Sequence, residues 1–155
     1  MKELLEYRVK LVERLAEAAR EFCAACETFT DPHQIVEGDW TLHQIAAHAR
    51  DTENLVYCER IRRTLKEDTP NFKSFDADEW MASRYDRDEP LKKILGDFLR
   101  NVEELRKTLE NLPREAWSRE SSHETMGGGL TLQLWVERSL AHIEEHLQTL
   151  KNGQK

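Results

Sequence analysis

Cysteine is scarce in this chain and comes in an odd number: three residues with no framework spacing, which excludes a disulfide-stapled domain and fits a reducing compartment. No apolar run approaches the roughly 20 residues of a membrane span. The first residues, Met1-Lys-Glu-Leu-Leu-Glu-Tyr-Arg8, lack the apolar centre of a secretion signal, so a cytoplasmic protein with no membrane partner is expected. Positive charge is also short. With 23 basic against 30 acidic residues the formal net charge is -7, and no basic cluster tracks a phosphate backbone, which argues against nucleic acid. Internal repeats, low-complexity tracts and strand-like alternation are absent as well. What remains, 155 residues with 39% hydrophobic side chains, suits one domain over residues 1–155 with a single core.

The hydrophobic pattern is helical. From about Lys2 to Glu27, Leu4, Leu11, Leu15, Ala18, Phe22 and Ala25 recur at three- and four-residue steps with charges between them. Cys23-Ala-Ala-Cys26 formally matches a redox motif, yet it falls late in this helix, where two small buried residues are the expected reading. Asp31-Pro32 ends the stripe. The next helix opens at Trp40-Thr41-Leu-His-Gln44-Ile45, with Thr41 and Gln44 as a capping box and Trp40 able to pack on Ile45, and it continues to Lys66. Asp88-Glu-Pro90 opens a third, whose stripe is Leu91, Ile94, Leu95, Phe98, Val102, Leu105 and Leu109, and Pro113 closes it. After Gly127-Gly-Gly129, Thr131 caps a fourth, which Asn152-Gly153 terminates. The expected fold is therefore all-α, a four-helix bundle. Its joints are long, and the segment from Asp68 to Arg87, with a capped turn at Phe75-Asp76-Ala-Asp-Glu79-Trp80, can travel back along the bundle as a crossover.

Three histidines stand out against this layout. His142 and His146 sit four positions apart, so on a helix their rings rise from one stripe, one turn apart. His48 faces the apolar side of the second helix, seven residues past Thr41, or roughly 10 Å from its start. His146 lies five residues before Lys151, roughly 8 Å from the end of its own helix. Antiparallel packing of the second and fourth helices would bring all three to one level. Three neutral imidazoles leave coordination positions for water or substrate, the arrangement of reactive metal sites and not of closed structural ones. Taken singly, a histidine on an apolar face such as His48 is usually a half-buried side chain bonded to a carbonyl, and the His142–His146 pair, with Glu144 and Glu145 between the rings, reads also as a solvated stretch facing water. His43 is about 140° around its helix from His48 and cannot share the site. His33 falls in a loop, and His123 is expected to make a loop hydrogen bond.

The combination Asp39-Trp-Thr-Leu-His-Gln-Ile-Ala-Ala-His48, Phe75-Asp-Ala-Asp-Glu-Trp80 and Leu140-Ala-His-Ile-Glu-Glu-His-Leu-Gln148 resembles the DinB-like (YfiT-like) metal-binding four-helix bundles over nearly the whole chain. That resemblance implies His48, His142 and His146 as metal ligands, with Trp40 at the helix start. It further implies an up-down-down-up topology, a homodimer and a divalent nickel, zinc or iron-type ion. Related proteins are described as thiol S-transferases, thiol-dependent isomerases and hydrolases, and the fold does not choose among them. The expected function is a metalloenzyme acting on a small-molecule substrate, with a low-molecular-weight thiol as one option for the activated group. The alternative is a non-catalytic ion-binding bundle serving dimerisation or a stress-response partner. A haem or redox bundle fits worse, since no Cys-x-x-Cys-His occurs. Trp80, Arg84 and Tyr85 are expected near the site if the third helix runs parallel to the second, and Asp51 or Glu145 could accept imidazole N–H groups. No spacing identifies a catalytic general base.

Overall fold

Helix α1 (Lys2–Glu27) forms where the apolar stripe predicts it and buries Leu11, Leu15, Ala18, Ala19 and Phe22. These residues belong to a computed structural model that describes residues 1–153. A short hairpin follows, β1 (Ile35–Glu37) paired antiparallel with β2 (Trp40–Thr41). Gly38 turns the chain between them at φ +55°, a conformation that side chains with a Cβ resist.

Thr41 then caps α2 (Leu42–Thr52). Its side chain accepts from the Gln44 N–H while the Gln44 side chain accepts from the Thr41 N–H, satisfying two donors the first turn would otherwise leave unpaired. The helix does not continue regularly to Lys66. A π-helical turn (Glu53–Cys58) joins it to α3 (Glu59–Lys66), so residues 42–66 form one rod with a widened turn in its middle. A 3.6-residue count carries no sign of that insertion.

The crossover holds two elements of its own, β3 (Asn71–Phe72) and α4 (Ala77–Arg84), the latter capped by Asp76 accepting from the Glu79 N–H. Next comes α5 (Leu91–Glu110), which buries Ile94, Leu95, Phe98, Val102, Leu105 and Leu109 as its spacing requires. Pro113 starts a 3-10 turn (Arg114–Ser118), and β4 (Glu120–His123) and β5 (Gly127–Thr131) lead into α6 (Leu132–Gly153). The Thr131 hydroxyl caps α6 by accepting from the Leu134 N–H. The short strands correct the expectation of no β structure: β3 pairs parallel with β4 and β4 antiparallel with β5, tying the crossover to the joint before α6. Each strand is too brief to show a period of two, and the pairing lies between segments distant in sequence.

Side-chain pairs give the direction of every rod. Tyr7 bonds Glu137, and Arg14 bonds Glu144 at 2.9 Å, so α1 and α6 run parallel. Arg20 pairs with Glu103, and Cys23 Sγ reaches the Leu95 carbonyl, so α5 runs against α1. Arg50 meets Glu89 and Asp97 near the start of α5, while Arg62 shares a depression with Leu105 and Thr108 near its end, so the 42–66 rod and α5 run together. Glu53 bonds Ser139, and His48 lies against His146, so that rod opposes α6. The order is up, down, down, up. The core between the rods runs from Leu11 to Leu150, with the Phe22 and Phe98 rings edge to face at 5.2 Å. All three cysteines are free and buried within it. Burial lifts the Cys23 and Cys58 thiols to about 12 and raises Cys26 too, the environment of core side chains and not of an activated thiol pair.

Because the cap at Thr41 fixes the start of the helix that carries His48, Thr41→Ala is expected to lower stability by about 1 kcal/mol. Urea unfolding followed by circular dichroism measures this, and an unchanged midpoint would show the box to be dispensable.

Candidate metal centre

Antiparallel packing of α2 against α6 brings His48, His142 and His146 together. One ring nitrogen from each lies within 4.8 Å of the other two. The ring centroids stand 4.3 Å apart for His142 and His146, 4.9 Å for His48 and His146, and 5.5 Å for His48 and His142. The Nε2 atoms of His142 and His146 face each other at 2.8 Å. Trp40 presses edge-on against His48 at 5.6 Å, and the Tyr57 ring lies 5.3 Å from that of His142. Thr52 Oγ1 sits 3.4 Å from His48 Nδ1, which leaves the other ring nitrogen of His48 for the shared centre.

All three imidazoles are held neutral. Burial, with the adjacent imidazoles His146 and His48 adding to it, drives His142 down to about 2. Burial and then His48 take His146 to about 4. Burial lowers His48 as well, against the opposing pull of Asp51, Asp78 and Glu145. Neutral rings keep their lone pairs. Two such lone pairs aimed at one point repel unless a proton or cation lies between them, so the donor set fits a divalent ion of the kind imidazole favours. Among the described residues no carboxylate or thiol joins the cluster as a fourth ligand. Instead a cleft of about 210 Å³ opens beside it, lined by His48 and His146 together with Trp40, Ile45, Glu37, Asp78, Glu145 and Thr149. A larger depression of about 260 Å³, between Leu5, Val9 and Val12 of α1 and Leu109 and Leu112, lies at the other end of the bundle and has no histidine or cysteine in its wall.

One residue at the centre escapes sequence reasoning. Glu53, the first residue of the π-helical turn, is completely buried. Its Oε1 accepts from the Ser139 hydroxyl, while its Oε2 stands 4.0 Å from the buried His142 Nδ1, and among the described residues neither of these two atoms has a hydrogen-bond partner. Burial pushes the Glu53 carboxyl up to about 8, with the Ser139 bond pulling the other way. Five positions past His48, Glu53 would lie about 140° away on a regular α-helix, and helical spacing therefore directs attention elsewhere.

The expected acceptors Asp51 and Glu145 do not fill that role. Asp51 is engaged by Arg50 Nε at 2.9 Å and Trp80 Nε1 at 3.1 Å, and Glu145 lies exposed at the cleft rim. Trp80, Arg84 and Tyr85 also sit apart from the cleft: Trp80 is tied to Asp51, the Arg84 guanidinium stacks over Trp80, and the Tyr85 hydroxyl meets His43 Nδ1 at 2.6 Å. The crossover reaches the cleft through Asp78. His43 is buried on another face, with its second nitrogen 2.6 Å from the Glu89 carbonyl, and His33 stacks near it. His123 Nδ1 accepts from the Thr125 N–H, the local bond expected of it.

Fold and site together define a four-helix bundle with a three-histidine cluster between its second and last rods. The chain belongs to the DinB superfamily, whose family model matches residues 15–150. Its structure is similar to that of YfiT from Bacillus subtilis, described as a probable metal-dependent hydrolase with an unusual four-helix bundle topology. The TM-score is 0.87 at 20% sequence identity, over 96% of this chain and 86% of that one. No curated protein is significantly similar to it in sequence. Among the described residues no helix is long and apolar enough to cross a membrane.

These buried groups give stability two opposing pH slopes. An imidazole whose pKa falls on folding contributes fully above its unfolded value of 6.5 and loses that contribution as pH drops toward the folded value. Glu53, whose pKa rises, contributes fully below 4.5 and loses that contribution as pH climbs toward about 8. In metal-free Glu53→Gln only the first slope remains from this group of side chains. Its thermal midpoint should therefore gain more between pH 5 and pH 7 than that of the metal-free wild type. Melting curves across that range decide it, and parallel curves would refute the assignment.

Proposed function

We propose that this chain is a metal-dependent enzyme of hydrolase or thiol-transferase type, in which His48, His142 and His146 hold a divalent nickel, zinc or iron ion. The observation that carries the reading is the cleft: two of the three histidines form part of its wall, and the cluster has no fourth protein ligand among the described residues. A structural clamp calls for a closed ligand set, whereas a reactive site needs a face turned to substrate. The chemistry such an ion supplies when bound is acidification of a water or thiol, so that the nucleophile exists at neutral pH.

The chain's own residues supply the remainder. Trp40 and Ile45 give the cleft an apolar side for a small-molecule substrate, and Trp40 also braces the His48 ring. Asp78 and Glu145, whose charges act on His48, are placed to accept a proton released in the cleft. Among the described residues no Lys or Arg lines the cleft, so none of them offers a basic side chain to anionic groups on a substrate. A low-molecular-weight thiol as cosubstrate, and assembly as a homodimer, complete the reading.

Replacing His142 or His146 by Ala is expected to abolish stoichiometric metal uptake while leaving helicity intact, because the apolar stripes of the four rods exist without the ion. Elemental analysis and circular dichroism of the purified variants measure both, and full metal content in the double variant would end the ligand assignment. Metal-loaded protein is also expected to turn over either an ester and amide panel in water or an electrophile with a thiol. Silence in both panels would favour the non-catalytic bundle.

A further inference from the structure

We propose that Glu53 is the positioning residue of the metal centre: its free carboxylate oxygen takes the Nδ1–H of His142, fixing that ring with Nε2 toward the ion. The proposal rests on the three-histidine reading above and adds a component that neither the fold nor the ligand set supplies.

Glu53 is difficult to explain as packing. It is one of the largest fully buried side chains in the molecule, in a position where leucine or methionine would fill similar volume without a polar atom to satisfy. One of its oxygens is held by Ser139, a residue buried on α6 one turn before His142. The other oxygen is left facing His142 Nδ1 at 4.0 Å, and these two atoms are the buried side-chain atoms without a hydrogen-bond partner among the described residues. That is longer than a hydrogen bond, and the pair closes through a small rotation of the ring or the carboxylate. Two unsatisfied buried groups of complementary chemistry, aimed at each other beside a metal-ligating ring, lack only the condition that makes their bond favourable. A cation on the far nitrogen provides it, since it makes Nδ1–H a stronger donor and opposes the carboxylate charge.

The backbone supports the same conclusion. The π-helical turn begins at Glu53, and such insertions sacrifice regular i to i-4 bonding. Here the turn carries an acid at the level of Ser139 and His142 on the facing rod, where it meets both. Ser139 holds Glu53 and Glu53 holds His142, a chain that ends at the shared centre.

Two variants test this with zinc as the probe. Glu53→Gln keeps shape and the Ser139 contact but removes the charge, and Glu53→Met removes all polarity. Both are expected to leave metal-free stability unchanged or higher while weakening zinc affinity about 10- to 100-fold in chelator competition. Ser139→Ala, which frees the carboxylate, is expected to weaken zinc by a smaller factor. Zinc affinity within threefold of wild type in both Glu53 variants would overturn the proposal. So would a loss of metal-free stability that accounts for the weaker binding, since Glu53 would then be a member of the fold and not of the site. A wild-type chain that takes up no zinc would instead remove the three-histidine reading itself, and His146→Ala beside it separates the two failures.

Discussion

Desolvation of titratable groups between two antiparallel rods is the constraint around which this structure is organised. Three imidazoles and one carboxyl occupy the space where α2, the π-helical turn and α6 meet. Burial forces all of them toward their neutral forms, at a cost the surrounding core must offset. A bundle of this size is only marginally stable, by roughly 5 to 15 kcal/mol, so such a concentration of polar atoms is tolerable only where each gains a partner. Among the described residues His142 Nδ1 and Glu53 Oε2 are the exceptions, buried without a hydrogen-bond partner.

The topology makes the arrangement possible. Because the 42–66 rod and α5 run together, the chain must recross the bundle between them, and α4 with β3 forms that return path. Parallel α1 and α6 are then fastened by Arg14 and Tyr7, and the site lies at the end where α2 begins and α6 finishes. The small sheets act at the joints. The β1–β2 hairpin places Trp40 against His48 and brings Val36 against the end of α6, where a Cβ on Gly153 would come within 2.6 Å of the valine side chain. The β3–β4–β5 sheet anchors the far joint, with the Trp135 indole donating to Ser121 in β4.

What was legible in the sequence follows from which interactions are local. The rods, their caps at Thr41, Asp76 and Thr131, and the burial of the cysteines depend on i to i+4 spacing and neighbouring side chains, and the sequence reading found them. The histidine cluster depends on two rods at once, yet matching depths along each helix sufficed to bring its members to a common level. The strands were invisible because their pairing is non-local and their length too short for a pattern. Glu53 was invisible for a different reason: the π-helical insertion breaks the period by which inward positions are counted, so an acid that reads as a surface residue becomes the most buried one at the site. Asp51, chosen in its place from the same helix, is captured by Arg50 and Trp80.

Charge placement around the cluster separates holding an ion from using one. Glu53 lies behind the histidines, out of solvent, where a charge, once it ionises, would act on the His142 ring through a low-dielectric interior with little screening. Glu37, Asp78 and Glu145 line the cleft in front, exposed, where water and salt damp their field. An ion clamp would benefit most from carboxylates that close the set directly, as fourth and fifth ligands. Here the buried acid is offset behind His142 and the exposed acids ring an opening, so negative charge favours a cation without occupying the face through which it would meet a substrate. That distribution supports the proposed reactive centre over a sealed clamp.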